Sequence, residues 1–89
     1  MKAQVLHKYD DDLTAPSWVD YIDVPDPVIT KGSDVIVRIG GAGVCRTDLH
    51  VVDGELSSPR LPLIPGHEVV GRVVALDGGV NGHAIGDRV

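Results

Sequence analysis

At 89 residues the chain is one small domain, expected to bury roughly 60% of the surface its unfolded state exposes, which suffices for one modest core. With 43% hydrophobic and 24% charged residues, the composition is that of an ordinary globular protein and argues against disordered, collagen-like and membrane classes. A net charge of -5 leaves no basic footprint to neutralise a phosphate backbone, so nucleic acid is not an expected partner.

With no Phe, one Trp and two Tyr, the core must be aliphatic, and fifteen valines, whose branched Cβ suits a pleated surface, predict strands over helices. Lys2 to Tyr9 alternates weakly, with Ala3, Val5 and His7 to one side, and predicts a strand ended by the solvated turn Asp10–Asp12. After the breaker Ala15-Pro16-Ser17, Trp18 to Val24 predicts a strand with both faces partly covered, stopped by Pro25-Asp26-Pro27. Asp34 to Ile39 shows the cleanest alternation, Val35, Val37 and Ile39 against Ile36 and Arg38, and predicts a third strand. Gly40-Gly41-Ala42-Gly43 fits neither GxGxxG nor GxxxxGK[ST] and predicts a bend or bulge at that strand's end. Cys45 to about Val52 predicts a short helix halted by Asp53-Gly54. Pro59, Pro62 and Pro65 keep Ser57 to Gly66 irregular, and His67 to Leu76 predicts a valine-rich strand turned by Asp77-Gly78-Gly79. Val80 to Val89 reads as a loop leading into a strand near Asp87. Short valine strands punctuated by Gly and Pro predict a mainly β fold, a small barrel or sandwich rather than a βαβ unit.

Two clusters carry chemistry: Cys45-Arg46-Thr47-Asp48-Leu49-His50 and Gly66-His67-Glu68. On a helix, Cys45 and Asp48, and likewise Thr47 and His50, share a side. Thiolate and imidazole are preferred zinc ligands, and a catalytic site takes three protein ligands and keeps one position open. Cys45 and His67, 22 positions apart, supply two ligands if the intervening loop folds back. A bound hydroxyl acidified by metal benefits from a proton path, and a Thr hydroxyl bonded onward to a His is one. Blander roles compete. A lone cysteine is ordinarily a buried hydrophobe, and His67-Glu68 also suits a strand edge, whose neighbours face opposite ways. A carboxylate beside a ligand can equally act behind the metal or as an alternate ligand. His7 and His83 fit exposed or structurally satisfied histidines.

Gly40 to His50, Pro65-Gly66-His67-Glu68 with Val69-Val70-Gly71 behind it, and Gly86-Asp87-Arg88-Val89 together resemble the N-terminal part of zinc-dependent alcohol dehydrogenases of the medium-chain dehydrogenase/reductase family. The resemblance covers essentially the whole chain and implies a GroES-like, partly open β-barrel with a short helix, residues 1–89 being the N-terminal portion of the catalytic domain. It implies Cys45 and His67 as catalytic zinc ligands, Glu68 as the acid that ligates the metal transiently, and Asp48 as the carboxylate fixing the imidazole tautomer. Thr47 corresponds to the hydroxyl that takes the alcohol proton and His50 to the next relay member, which also contacts cofactor. Arg46 corresponds to a pyrophosphate contact, for which a guanidinium is suited, although relatives place other residues there.

The implied activity is interconversion of alcohols with aldehydes or ketones, hydride passing to NAD or NADP, with zinc as Lewis acid on the substrate oxygen. Cys45 is the sole cysteine, so the family's third, downstream ligand, its four-cysteine structural lobe and its Rossmann domain are expected outside these residues, and the 89 residues alone are expected to be inactive. A single cysteine, no apolar run approaching the roughly 20 residues that span a bilayer, and no signal-peptide core give a cytoplasmic expectation. The full-length protein is expected to be a homo-oligomer that meets no membrane. The competing expectations are a non-catalytic, truncated GroES-like binding or assembly module, and a zinc-free quinone reductase, against which the Cys45 and His67 pair argues.

Overall fold

A computed structural model describes residues 1–57 and 60–89. The chain is mainly β: four strands, one short helix and, among the described residues, no closed barrel. It divides into two compact units, Met1–Pro25 with Val44–His67, and Asp26–Gly43 with Glu68–Val89.

In the first unit, β1 (Lys2–Val5) pairs antiparallel with β2 (Asp20–Asp23), Lys2 opposite Asp23 and Val5 opposite Asp20. The predicted alternation of β1 is realised, since Ala3 and Val5 are buried while Lys2 and Gln4 face water. The strand is shorter than the Lys2–Tyr9 expectation. It ends because Leu6, completely buried, exchanges both backbone bonds with Leu63, at 2.7 Å and 2.9 Å. His7 is then exposed, its Nδ1 2.9 Å from Asp20 Oδ2, as expected of a histidine satisfied at the surface. The acidic triplet does form a turn: the Asp10 N–H donates to Val52 O at 2.8 Å and Asp10 Oδ2 accepts from the Ala15 N–H at 2.7 Å.

The second predicted strand needs two corrections. Its regular part starts at Asp20, because Ser17 Oγ donates to Val19 O at 2.8 Å and bends the chain there. All four β2 residues are exposed, so neither face is covered as expected. α1 (Arg46–Val52) falls where the helix was predicted, and Val52 joins Ala3, Val5 and Leu6 in the unit's buried core.

In the second unit, β3 (Val35–Gly43) pairs antiparallel with β4 (Glu68–Leu76). The glycine tract does not end β3. Ile39 pairs with Gly71 and Gly41 with Val70, so Gly40 is an extra residue, a bulge that lets the strand continue. A second irregularity between Ile36 and Val37 breaks the period of two, which is why Val35, Ile36 and Val37 are all half-buried and the predicted alternation fails. Val73 is the buried anchor of this unit. The tail returns along β4 through reciprocal bonds of 3.0 Å between Gly71 and Val89, and Arg88 bridges Arg72 where a strand was expected near Asp87. A hollow of about 370 Å³ lies among Gly40, Val70, Gly71, Arg72, Arg88 and Val89 and contains none of the site residues predicted above. Residues 60–66 form no regular strand or helix, in line with their prolines, while Ser58 and Pro59 lie outside the described residues.

A Cβ at Gly71 would collide with the Arg38 carbonyl oxygen and reach within 2.7 Å of Val37 Cγ1, whereas one at Gly78 would meet nothing within 4 Å. Gly71→Ala is therefore expected to cost about 1–3 kcal/mol, read as a lowered urea midpoint, with Gly78→Ala close to neutral. Asp34 Oδ2 accepts from the Thr30 N–H, the Thr30 hydroxyl and the Lys31 N–H, each at 2.9 Å, and these donors hold its carboxyl below the usual carboxylate range. With the folded value below the unfolded one, the contribution is complete above the unfolded range and fades as pH falls through the folded value. Asp34→Asn should lower the urea midpoint at neutral pH, and the gap to wild type should narrow on acidification; a gap constant with pH would refute this.

Candidate metal centre

The site is built on the first turn of α1. Cys45 occupies the N-cap position in extended conformation (φ -119°, ψ 156°), so its side chain stands where the chain enters the helix. Asp48 sits three residues on, and its Oδ2 accepts from the Cys45 N–H at 2.9 Å, satisfying an amide the helix leaves without a partner. The second carboxylate oxygen, Oδ1, lies 3.3 Å from His67 Nδ1. Asp48 is only 15% exposed, so this carboxylate works in a partly desolvated setting where its contacts are less screened than at the surface.

Cys45 and His67 come together as the sequence required. Cys45 Sγ and a His67 ring nitrogen lie within 4.8 Å of each other. In a tetrahedral zinc site, bond lengths of about 2.3 Å to sulfur and 2.0–2.1 Å to nitrogen separate the two donors by roughly 3.6 Å. The donor types and their closeness fit two ligands to one zinc ion. With Nδ1 turned to Asp48, Nε2 is the ring nitrogen on the side away from that carboxylate. Gly66 precedes His67 at φ +112°, which lets the chain swing sharply just before the imidazole.

Glu68 follows His67 directly and opens β4 in the second unit, opposite Gly43. A Cβ at Gly43 would stand 2.8 Å from Glu68 Oε2, so the bare glycine leaves room for this carboxylate to lie across β3. Gly43 was legible only as part of a bend, and the register with Glu68 was the missing signal. Arg46 and Thr47 begin α1 and are exposed; His50 lies one turn beyond Thr47 and is half-buried. Two acids that motif reading passed over, Asp53 and Glu55, stand beside His50, with Oδ2 and Oε2 at 3.7 Å and 2.7 Å from its Nδ1. The turn dipeptide Asp53-Gly54 was the available clue, since a tight reversal there brings the next acid back over the helix.

The family model described as "Alcohol dehydrogenase GroES-like domain" matches residues 31–89. The whole chain is 40% identical over 90 residues to an alcohol dehydrogenase of Moraxella sp. strain TAE123, covering 25% of it. It is also 40% identical over 95 residues to an NAD-dependent alcohol dehydrogenase of Sulfolobus acidocaldarius, covering 26% of that protein. The crystal structure of the alcohol dehydrogenase of the archaeon Aeropyrum pernix superposes with a TM-score of 0.79 at 43% identity, over 99% of this chain and 25% of that one. The chain thus spans about a quarter of the length of these relatives.

If Asp48 holds both candidate ligands, removing its charge must loosen metal even though no ligand is lost. Asp48→Asn in the full polypeptide is expected to weaken zinc about 10–100-fold in competition with a chromophoric chelator. Unchanged affinity would show that Asp48 has no part in holding metal.

Proposed function

Because the chain belongs to the alcohol dehydrogenase family with a GroES-like N-terminal domain, we propose that residues 1–89 are the leading portion of the catalytic domain of a zinc- and NAD(P)-dependent alcohol dehydrogenase. The observation that carries this is the single carboxylate of Asp48 set against both the Cys45 amide and the His67 ring. Beyond capping the helix, such an arrangement would present sulfur and nitrogen to one cation.

Cys45 and His67 would hold the metal, with Glu68 as the neighbouring acid able to join them and a further ligand supplied from outside these residues. When bound, zinc supplies a Lewis acid for the substrate oxygen, and the nicotinamide supplies the hydride acceptor. The chain's own contribution is positional and protonic. Asp48 fixes the tautomer of His67, so that Nε2 is the nitrogen that would hold the metal. Thr47 receives the alcohol proton at Oγ1, and His50 takes it onward from the next turn of α1. Arg46, exposed at the helix start, offers a planar fork to the cofactor pyrophosphate. The substrates are small alcohols, aldehydes or ketones, and the working protein is a cytoplasmic homo-oligomer. Among the described residues, no helix is long and apolar enough to cross a membrane.

Zinc content and alcohol-dependent reduction of NAD or NADP by the full polypeptide test the proposal. Cys45→Ser should lose both bound zinc and turnover. Thr47→Ala should keep zinc and lose roughly 100-fold or more in turnover, the usual scale of a lost proton-transfer group. A wild-type protein without stoichiometric zinc would overturn the proposal.

A further inference from the structure

The segment leaving α1 turns back on the helix's last turn. Gly54 has φ +85°, and a Cβ there would stand 3.2 Å from Tyr9 Cγ, so both backbone and space require glycine at the reversal. The Glu55 N–H then donates to Asp53 Oδ1 at 2.8 Å and the Leu56 N–H to His50 O at 3.0 Å. These bonds bring Glu55 Oε2 to 2.7 Å from His50 Nδ1.

The solvent exposure of the two partners is unequal. His50 Nδ1 is shut off from solvent and makes no in-line hydrogen bond, because the Glu55 oxygen approaches off the ring N–H direction. Soft terminal torsions on both side chains separate this close ionic approach from a directed bond. Glu55 is 67% exposed. A proton on His50 Nδ1 therefore has no direct way to water. Among the described residues, the acceptors near it are the carboxylates of Glu55 at 2.7 Å and Asp53 at 3.7 Å, and Glu55 is both nearer and more open to solvent.

Resting on the alcohol-oxidising function proposed above, in which Thr47 passes a proton to His50, we infer that Glu55 is the final link of that relay and delivers the proton to bulk water. The imidazole gains the incoming proton at its other ring nitrogen as Nδ1 gives one to Glu55 Oε2, so the ring ends neutral with its tautomer exchanged. The carboxyl group then releases that proton to water and returns to carboxylate, and the ring recovers its starting tautomer by proton exchange with water, one proton returning to Nδ1 through Glu55 as the other ring nitrogen gives one up. No electrons move in this leg; the proton is the one liberated by oxidation of the alcohol.

The test follows proton release from the full-length, zinc-loaded protein by stopped flow, with a pH-indicator dye in weakly buffered solution containing alcohol and oxidised cofactor. Glu55→Gln is expected to slow release by about tenfold or more with the alcohol KM unchanged, and added acetate or imidazole buffer should restore the rate in proportion to its concentration. Glu55→Asp should retain most of the rate. A merely structural carboxylate would not respond to buffer. In parallel, the ¹⁵N resonance of His50 Nδ1, assigned by its loss in His50→Gln, should move in Glu55→Gln while the other histidines stay in place. Undiminished proton release in Glu55→Gln, or slow release that no buffer rescues, overturns the relay while leaving the dehydrogenase function standing. A wild-type protein that binds zinc and cofactor yet oxidises no alcohol removes that function and the relay with it.

Discussion

One carboxylate organises the candidate centre. Asp48 lies three residues into α1, where its Oδ2 closes the helix start on the Cys45 amide and its Oδ1 meets the His67 ring at 3.3 Å. The two candidate ligands come from segments with no local reason to be neighbours, one at a helix cap and one behind a left-handed glycine. Without Asp48, Cys45 would lose the acceptor for its N–H and His67 the partner of its Nδ1. The same carboxylate that caps the helix also meets the imidazole, so local helix formation and placement of the two candidate donors are coupled. Such coupling suits a site that must keep its donors close before a metal arrives, because less ordering remains to be done on binding.

The carboxylate can act this way only because the backbone beneath it is pinned. Leu6 and Leu63 exchange two backbone bonds, which draws the approach to His67 against the end of β1, and Leu6 is fully buried. At the other end of α1, Val52 is buried and its carbonyl accepts the Asp10 N–H. The small aliphatic core of this unit therefore lies under both ends of the site: Val52 fixes the helix, and Leu6 with its partner fixes the loop. Burial supplies the free energy, and the polar contacts use that rigidity to set direction.

Much of this was legible in the sequence, for identifiable reasons. Cys45, Thr47, Asp48 and His50 were grouped because a helical period places residues three apart on one side, and α1 runs through that stretch. The strand at Glu68–Leu76 was legible because valine density and a following Asp-Gly-Gly turn agree. What failed were properties set by pairing. The end of β1 depends on Leu63, far along the chain, and the lost alternation of β3 depends on register shifts against β4. Glu55 was missed for a related reason. Its meaning lies in a three-dimensional reversal at Gly54, and an acid two residues past a helix end carries no motif of its own.

The half-buried character of α1 then acquires a chemical sense. A helix buried on all sides would offer no path for substrate or proton, and one wholly exposed would hold no geometry. Here Val52 is buried, Asp48 and His50 are intermediate, and Arg46 and Thr47 are open. Along these seven residues burial runs from the Val52 anchor to the open Arg46 and Thr47, the residues proposed to meet ligand. Leaving His50 between these extremes has a cost, since one ring nitrogen is sealed from water. The reversal at Gly54 meets that cost by bringing an exposed carboxylate to the sealed atom, so the turn that ends the helix also completes the polar environment of its last functional residue.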